Sequence, residues 1–243
     1  MNRSVFDRTE LNTTKPALDR SGVARIFQVL LTIVLIGVLL FVSAGRLDWT
    51  EAWIYLVLYS LSISVNAFWA LRHDPELVNE RGRPKGKAKS WDAALIPVYA
   101  VAYLAVFVVA GLDAVRYGWS TVPLAVKVLG AVGICLGMAL IAWVMRVNSY
   151  LSTVVRIQSD RGQQVVSSGP YHFVRHPMYL GMIISTLCLP FFLGAWWALV
   201  PAISSNATFV VRTALEDRTL QQELPGYVEY TGRVRYRLLP GVW

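Results

Sequence analysis

The chain has 243 residues, 55% of them hydrophobic and only 16% charged, with a formal charge of +8. Ordinary soluble domains hold about 45–50% apolar and about 25% charged residues, so this composition excludes a disordered, collagenous, coiled-coil or disulfide-stapled chain and argues against a soluble enzyme. The apolar residues fall in blocks rather than alternating, which is the pattern of a membrane-spanning protein. Cys135 and Cys188 each lie inside an apolar run without partner spacing, so neither a disulfide nor a metal site is implied.

Residues 1–25 are polar and mixed in charge and read as a cytosolic N-terminal arm. Ile26–Ala44 then runs 19 residues without a charge. The long, partly acidic stretch before it argues for a retained transmembrane helix over a cleaved signal. Ala52–Leu71 and Ala93–Leu112 give 20 uncharged residues each, and Val128–Met145 gives 18, extendable past a snorkelling Lys127. Each approaches the roughly 20 residues that cross a bilayer, and each should be helical because lipid offers the backbone no other partner. Residues 26–147 thus form a four-helix transmembrane region, followed by a C-terminal unit, 148–243. Within that unit Pro177–Val211 is free of charge for 35 residues, about 50 Å as one helix and too long for a single crossing. Pro190, Gly194 and Pro201 predict the breaks, giving a hairpin of Met178–Leu193 and Ala195–Val211. The fold class expected is an all-α integral membrane protein of about six transmembrane helices.

The charges orient it. With the N-terminus in the cytoplasm, the inside segments hold twenty Lys or Arg and the outside loops only Arg46 and Arg116, with Lys127 unassigned. This satisfies the positive-inside rule, puts both termini on the cytoplasmic side of the cell membrane, and explains the basic charge without a nucleic-acid partner. Trp49, Trp53, Trp119, Trp196 and Trp197 fall near the outer boundary, as an aromatic belt should.

The polar residues with chemical promise lie from Arg156 onward. Gly162 and Gly169-Pro170 mark a folded loop, and His176-Pro177 opens a helix with Pro at its first position and His176 at the N-cap. Free amides there suit a carboxylate or phosphate. Tyr179 shares a face with His176. Arg212 and Glu216, four apart where the last membrane helix emerges, are spaced for an ion pair or for facing a zwitterionic ligand across the hairpin. Asn66 and Asn148, near cytoplasmic helix ends, are expected to hydrogen-bond between helices.

Gly169-Pro170-Tyr171, Arg175-His176-Pro177-Met178-Tyr179 with Gly181, Arg212-x-x-x-Glu216-Asp217 and Pro225-Gly226-Tyr227-x-x-Tyr230 occur in this order. Over Arg156–Trp243 the chain resembles the isoprenylcysteine carboxyl methyltransferase family and its relatives, the phospholipid N-methyltransferases. The resemblance implies S-adenosyl-L-methionine bound on the cytosolic side by the loop, hairpin and tail. It assigns cofactor contacts to Gln158, Gln163, Gln164, Val165, Val166, Tyr171, His176, Pro177, Met178, Tyr179 and Glu216. Its substrate-side arginine falls on Arg212, the expected catalytic residue. Gln163 stands where many members carry His, and Asp217 where they carry Glu. The methyl acceptor expected is a lipophilic or lipidated molecule entering from the bilayer; Arg212 favours a carboxylate, such as a prenylcysteine-like or other lipid acid, with an amine as the alternative. Two other readings stay open: a membrane NADPH-dependent reductase, since sterol reductases carry a similar His-Pro-x-Tyr-x-Gly pattern, and a non-enzymatic membrane protein.

Overall fold

A computed structural model describes residues 17–84 and 88–243. Among these the chain is helical, with no strand: α1 Arg20–Ala44, α2 Thr50–His73, α3 Pro75–Gly82, α4 Ser90–Gly111, α5 Leu124–Val147, α6 Pro177–Leu193, α7 Leu199–Glu223 and α8 Tyr227–Arg233. α1, α2, α5 and α4 with its π-helical continuation Leu112–Arg116 are each long and apolar enough to cross a membrane, and α6 is a shorter apolar helix. The all-α, multi-pass architecture expected from the sequence is therefore the one observed.

Several boundaries differ from expectation for local reasons. Residues 20–25 are not part of an arm but the first turns of α1, started by the Asp19 side chain, which accepts from the Gly22 N–H at 2.9 Å. The remainder of that arm up to residue 16, together with Lys85 and Lys87, lies outside the described residues. The segment Arg72–Asp92 is not all loop. Asp74 caps the Leu77 N–H and Pro75 takes the first helical position, so eight residues, half of them polar, form α3. Nor do the prolines end the hairpin helices. Pro190 sits in the last turns of α6, and Pro201 in the first turn of α7, where its N–H would be unpaired anyway. Gly194 makes the turn, in the left-handed conformation at φ 82° that a side chain would strain. α7 then starts at Leu199 and continues well past Val211, carrying its polar end out of the bundle. Asn66 bonds within its own helix, to the Ser62 carbonyl at 2.9 Å, and not between helices.

α5 packs on α6, α4 on α7, and α1 on both α4 and α3. Lipid gives helices no hydrophobic reason to associate, so close backbone approach must do it. Gly130, Gly133 and Gly137 of α5 provide that approach: a Cβ on Gly137 would meet the Gly181 carbonyl at 2.6 Å, and one on Gly130 the Phe192 nitrogen at 2.7 Å. The core between the helices holds Leu40, Phe107, Ile134, Leu189, Leu193 and Ala202, while Leu31, Val101, Leu129 and Val200 face outward as lipid-facing groups would. Trp53, Trp119, Trp196 and Trp197 are exposed at one end, but Trp49 is packed into the core and does not join the belt.

Gly137→Leu should overpack the α5–α6 contact and lower the detergent-solubilised protein's unfolding temperature, at a cost of at least about 1–3 kcal/mol. Leu136→Ala, on the lipid face one residue away, should leave it nearly unchanged in the same thermal scan.

Candidate functional site

At the end of the bundle opposite the exposed tryptophans, the start of α6, the second half of α7, α8 and the loop 148–176 close around a cavity of about 350 Å³. Its frame is a buried charge cluster. Asp217, fully enclosed, accepts from Arg175 through Nε at 2.8 Å and Nη2 at 3.0 Å, from Arg237 Nε at 2.8 Å, from the Tyr227 hydroxyl at 3.0 Å and from the Gln221 amide at 2.8 Å. His176 Nε2 lies 3.3 Å from the same carboxylate. Burial acts to raise the Asp217 pKa, but His176, Arg175 and Arg237 together outweigh it and hold the carboxyl well below the usual range. Burial and the Asp217 charge push the Tyr227 hydroxyl well above its ordinary value. Arg175 also donates to the Val234 and Arg235 carbonyls at 3.0 and 2.9 Å, which fastens the tail.

The loop is tied down by side chains within it. Gln158 is buried; its amide nitrogen donates to the Tyr150 carbonyl, its amide oxygen accepts from Arg161 at 2.6 Å, and its N–H is capped by the Gln163 side chain at 2.7 Å. Asn148 ends α5 by donating to the Tyr171 hydroxyl at 2.6 Å and accepting from the Tyr150 N–H at 2.9 Å. It clamps the loop to α5 rather than bridging two helices. Tyr230 in α8 donates to the Tyr171 carbonyl at 2.6 Å.

Inside the cavity the Tyr179 hydroxyl donates to Glu216, and the His176 and Tyr179 rings stack 5.9 Å apart at 6°. The N-terminus of α6 takes no side-chain cap, so its first-turn amides stay available. The spaced pair Arg212–Glu216 does not form. Arg212 turns to Asp92 of α4, with Nε 2.7 Å from Oδ1 and Nη2 3.1 Å from Oδ2, and also donates to the Thr153 carbonyl at 3.2 Å. Asp92 is fully buried and accepts the Val155 N–H at 2.7 Å as well. One hydrogen bond and a close ion contact to a buried carboxylate outweigh a single i,i+4 contact near the surface. Asp92 was missed by sequence reading; the usable signal was an acid in the first turn of an otherwise apolar helix.

Of the expected cofactor contacts, Gln158, Gln163, Gln164, Val165, Val166, Tyr171, His176, Met178, Tyr179 and Glu216 line this cavity, and so does Arg212. Pro177 does not: it is buried at the first position of α6, where it sets the helix start. Tyr99, Phe209, Tyr227, Arg25 and Arg81 line the cavity too and were not expected. A second, largely apolar chamber of about 470 Å³ lies deeper, among α1, α2, α4, α5 and α6, and shares Arg25, Arg81, Tyr99 and Met182 with the first.

Residues 125–224 match the phospholipid methyltransferase family, which is related to the isoprenylcysteine carboxyl methyltransferases. The match supports the resemblance read from the motifs, and with the apolar helices it supports a multi-pass membrane methyltransferase. No curated protein matches the chain.

Asp217→Asn should cost about 3–5 kcal/mol, since it removes the counter-charge of buried Arg175 and half-buried Arg237. The depressed carboxyl pKa places Asp217's contribution above the unfolded value of about 4, to be lost as pH falls further. In thermal scans, the wild-type advantage over Asp217→Asn should hold from pH 7 to about 4 and shrink below that.

Proposed function

We propose that this chain transfers a methyl group from S-adenosylmethionine to a lipophilic carboxylate, such as a prenylcysteine-like or other lipid acid, at the cytoplasmic face of a cell membrane. Residues 148–243 act as the cofactor unit, and both termini lie in the cytoplasm. The observation that carries the reading is the meeting of a cavity that bears Glu216, His176, Tyr179 and Arg212 with a more apolar chamber inside the bundle.

The residues fit the cofactor. A ligand with cationic groups, a carboxylate and an aromatic base needs an acid, free amides and aromatic walls. Glu216 supplies the first, the uncapped start of α6 the second, and the stacked His176–Tyr179 pair the third. The cavity volume lies within the range of about 300–1,000 Å³ of small-molecule sites. Methyltransferases of the matched family generally use S-adenosylmethionine, which when bound supplies an electrophilic methyl group.

Arg212 performs the acceptor's orientation. Its fork is held by Asp92 and Thr153 and its guanidinium carbon lies 5.5 Å over the Tyr179 ring, so it is fixed before an acceptor arrives. An ionised carboxylate needs no general base, and positioning is then the main catalytic task. Tyr179 steadies the Glu216 carboxylate by donating to it. The family match favours a second reading, N-methylation of a phospholipid amine; a cationic amine would meet repulsion from Arg212.

Calorimetry on the purified chain in detergent should show S-adenosylmethionine binding and no NADPH binding; the reverse would replace the reading with a reductase. Glu216→Gln should weaken cofactor binding about tenfold or more. Arg212→Lys should preserve binding and cut methyl incorporation into lipid acids by about a hundredfold. Normal turnover in Arg212→Lys would remove Arg212 from the reaction.

A further inference from the structure

Two arginines at the junction of the two cavities are unexplained by the site above. Arg25 comes from α1 and Arg81 from α3, both outside the matched segment. Their placement is built in. α3 lies so close on α1 that a Cβ on Gly82 would stand 1.8 Å from the Ser21 carbonyl and 3.0 Å from Arg25 Cβ. Asn79 locks the contact, accepting from the Asp19 N–H at 3.0 Å and donating to the Ala17 carbonyl at 3.1 Å.

Neither guanidinium has a carboxylate partner among the described residues, and the nearby acids are committed elsewhere. Glu80, next to Arg81 in sequence, is bonded by Arg156 at 2.8 and 3.0 Å and by Arg83 at 3.0 Å. Asp92 holds Arg212, Glu216 holds the Tyr179 hydroxyl, and Asp217 holds Arg175 and Arg237. Burial, reinforced by the charges of Arg25 and Arg212, lowers the Arg81 pKa to about 10, which leaves it cationic at neutral pH. Half-buried cations brought together with no carboxylate partner among the described residues repel one another, and a ligand that supplies an anion relieves this. Beyond them lies the apolar chamber, walled by groups such as Leu77, Ile134, Met138 and Leu189.

We propose that Arg25 and Arg81 form an anion seat that selects the acceptor, drawing in lipids whose polar end is a carboxylate or phosphate while the chain occupies the apolar chamber. This rests on the methyltransferase reading for its role in turnover but makes a binding claim of its own. Charge pairing at the seat and hydrophobic burial in the chamber then act on one molecule, so neither a free anion nor a neutral lipid gains both. The seat selects against zwitterionic and cationic heads by leaving a positive charge facing a positive charge.

The test is equilibrium binding to the purified full chain in non-ionic detergent, without S-adenosylmethionine, using oleate, oleyl alcohol, dodecyl phosphate and inorganic phosphate. Oleate should bind at least about tenfold tighter than oleyl alcohol. Arg25→Gln and Arg81→Gln should each erase most of that preference while oleyl alcohol binding, which reports an intact chamber, stays unchanged. Arg81→Lys should retain part of it. Dodecyl phosphate should displace oleate, and inorganic phosphate at equal concentration should not. Equal binding of oleate and oleyl alcohol by the wild type, or equal losses for both ligands in the variants, overturns the proposal; so does displacement by inorganic phosphate alone. Because the cofactor is absent, failure here is distinct from a failure to bind S-adenosylmethionine in calorimetry.

Discussion

The site exists in its present shape because one carboxylate, Asp217, is buried among donors from four parts of the chain. Arg175 and His176 reach it from the segment leading into α6, Gln221 from its own helix α7, Tyr227 from α8, and Arg237 from the tail. An ion buried this deeply is stable only when every lone pair is used, so the four segments have essentially one arrangement that satisfies it. That arrangement sets the start of α6 against the emerging half of α7. The residues facing the cavity, Tyr179 and Glu216, are neighbours of the cluster's own members in sequence. Asp217 thus positions the site without needing to touch anything bound in it.

Within the bundle a different force governs. Helices in lipid gain little from apolar contact with one another, so their association depends on close backbone packing and on polar ties near their ends. The glycine face of α5 supplies the first. Glu51 to Lys127 at 2.6 Å, joining α2 to α5, and Asp92 to Arg212, joining α4 to α7, supply the second at opposite ends. Between these ties the bundle keeps its apolar chamber, because each tie fixes a helix end and fills no space in the middle.

What could be read from the sequence follows the same division. The four long spans and the Gly194 turn were legible since uncharged runs and a positive-φ glycine are local signals. The Gly133-x-x-x-Gly137 spacing is also a local signal, of close helix packing. α3 was hidden because it is short and charged, with its stability coming from the contact of Gly82 and Asn79 with α1. The residues that the family resemblance assigned to the cofactor, ten of them together with Arg212, line one cavity, but the i,i+4 spacing of Arg212 and Glu216 does not reveal the partner that Arg212 takes. Asp92 lies 120 positions earlier, and no local pattern reveals a pair closed by tertiary packing.

This has a consequence for how the chain divides its labour. The segment that matches a family, 125–224, holds Glu216, Tyr179, His176 and Arg212, the groups proposed to handle cofactor and reacting end. The walls of the apolar chamber come largely from α1 to α4, and so do Arg25 and Arg81 at its mouth, which have no carboxylate partner among the described residues. A chemistry that stays constant constrains a site locally and leaves a motif. Recognition of an acceptor needs only volume, apolarity and net charge, which many sequences satisfy without a shared pattern. On the proposed anion seat, the first four helices are more than an anchor: they are where acceptor choice would be set, apart from the transfer site.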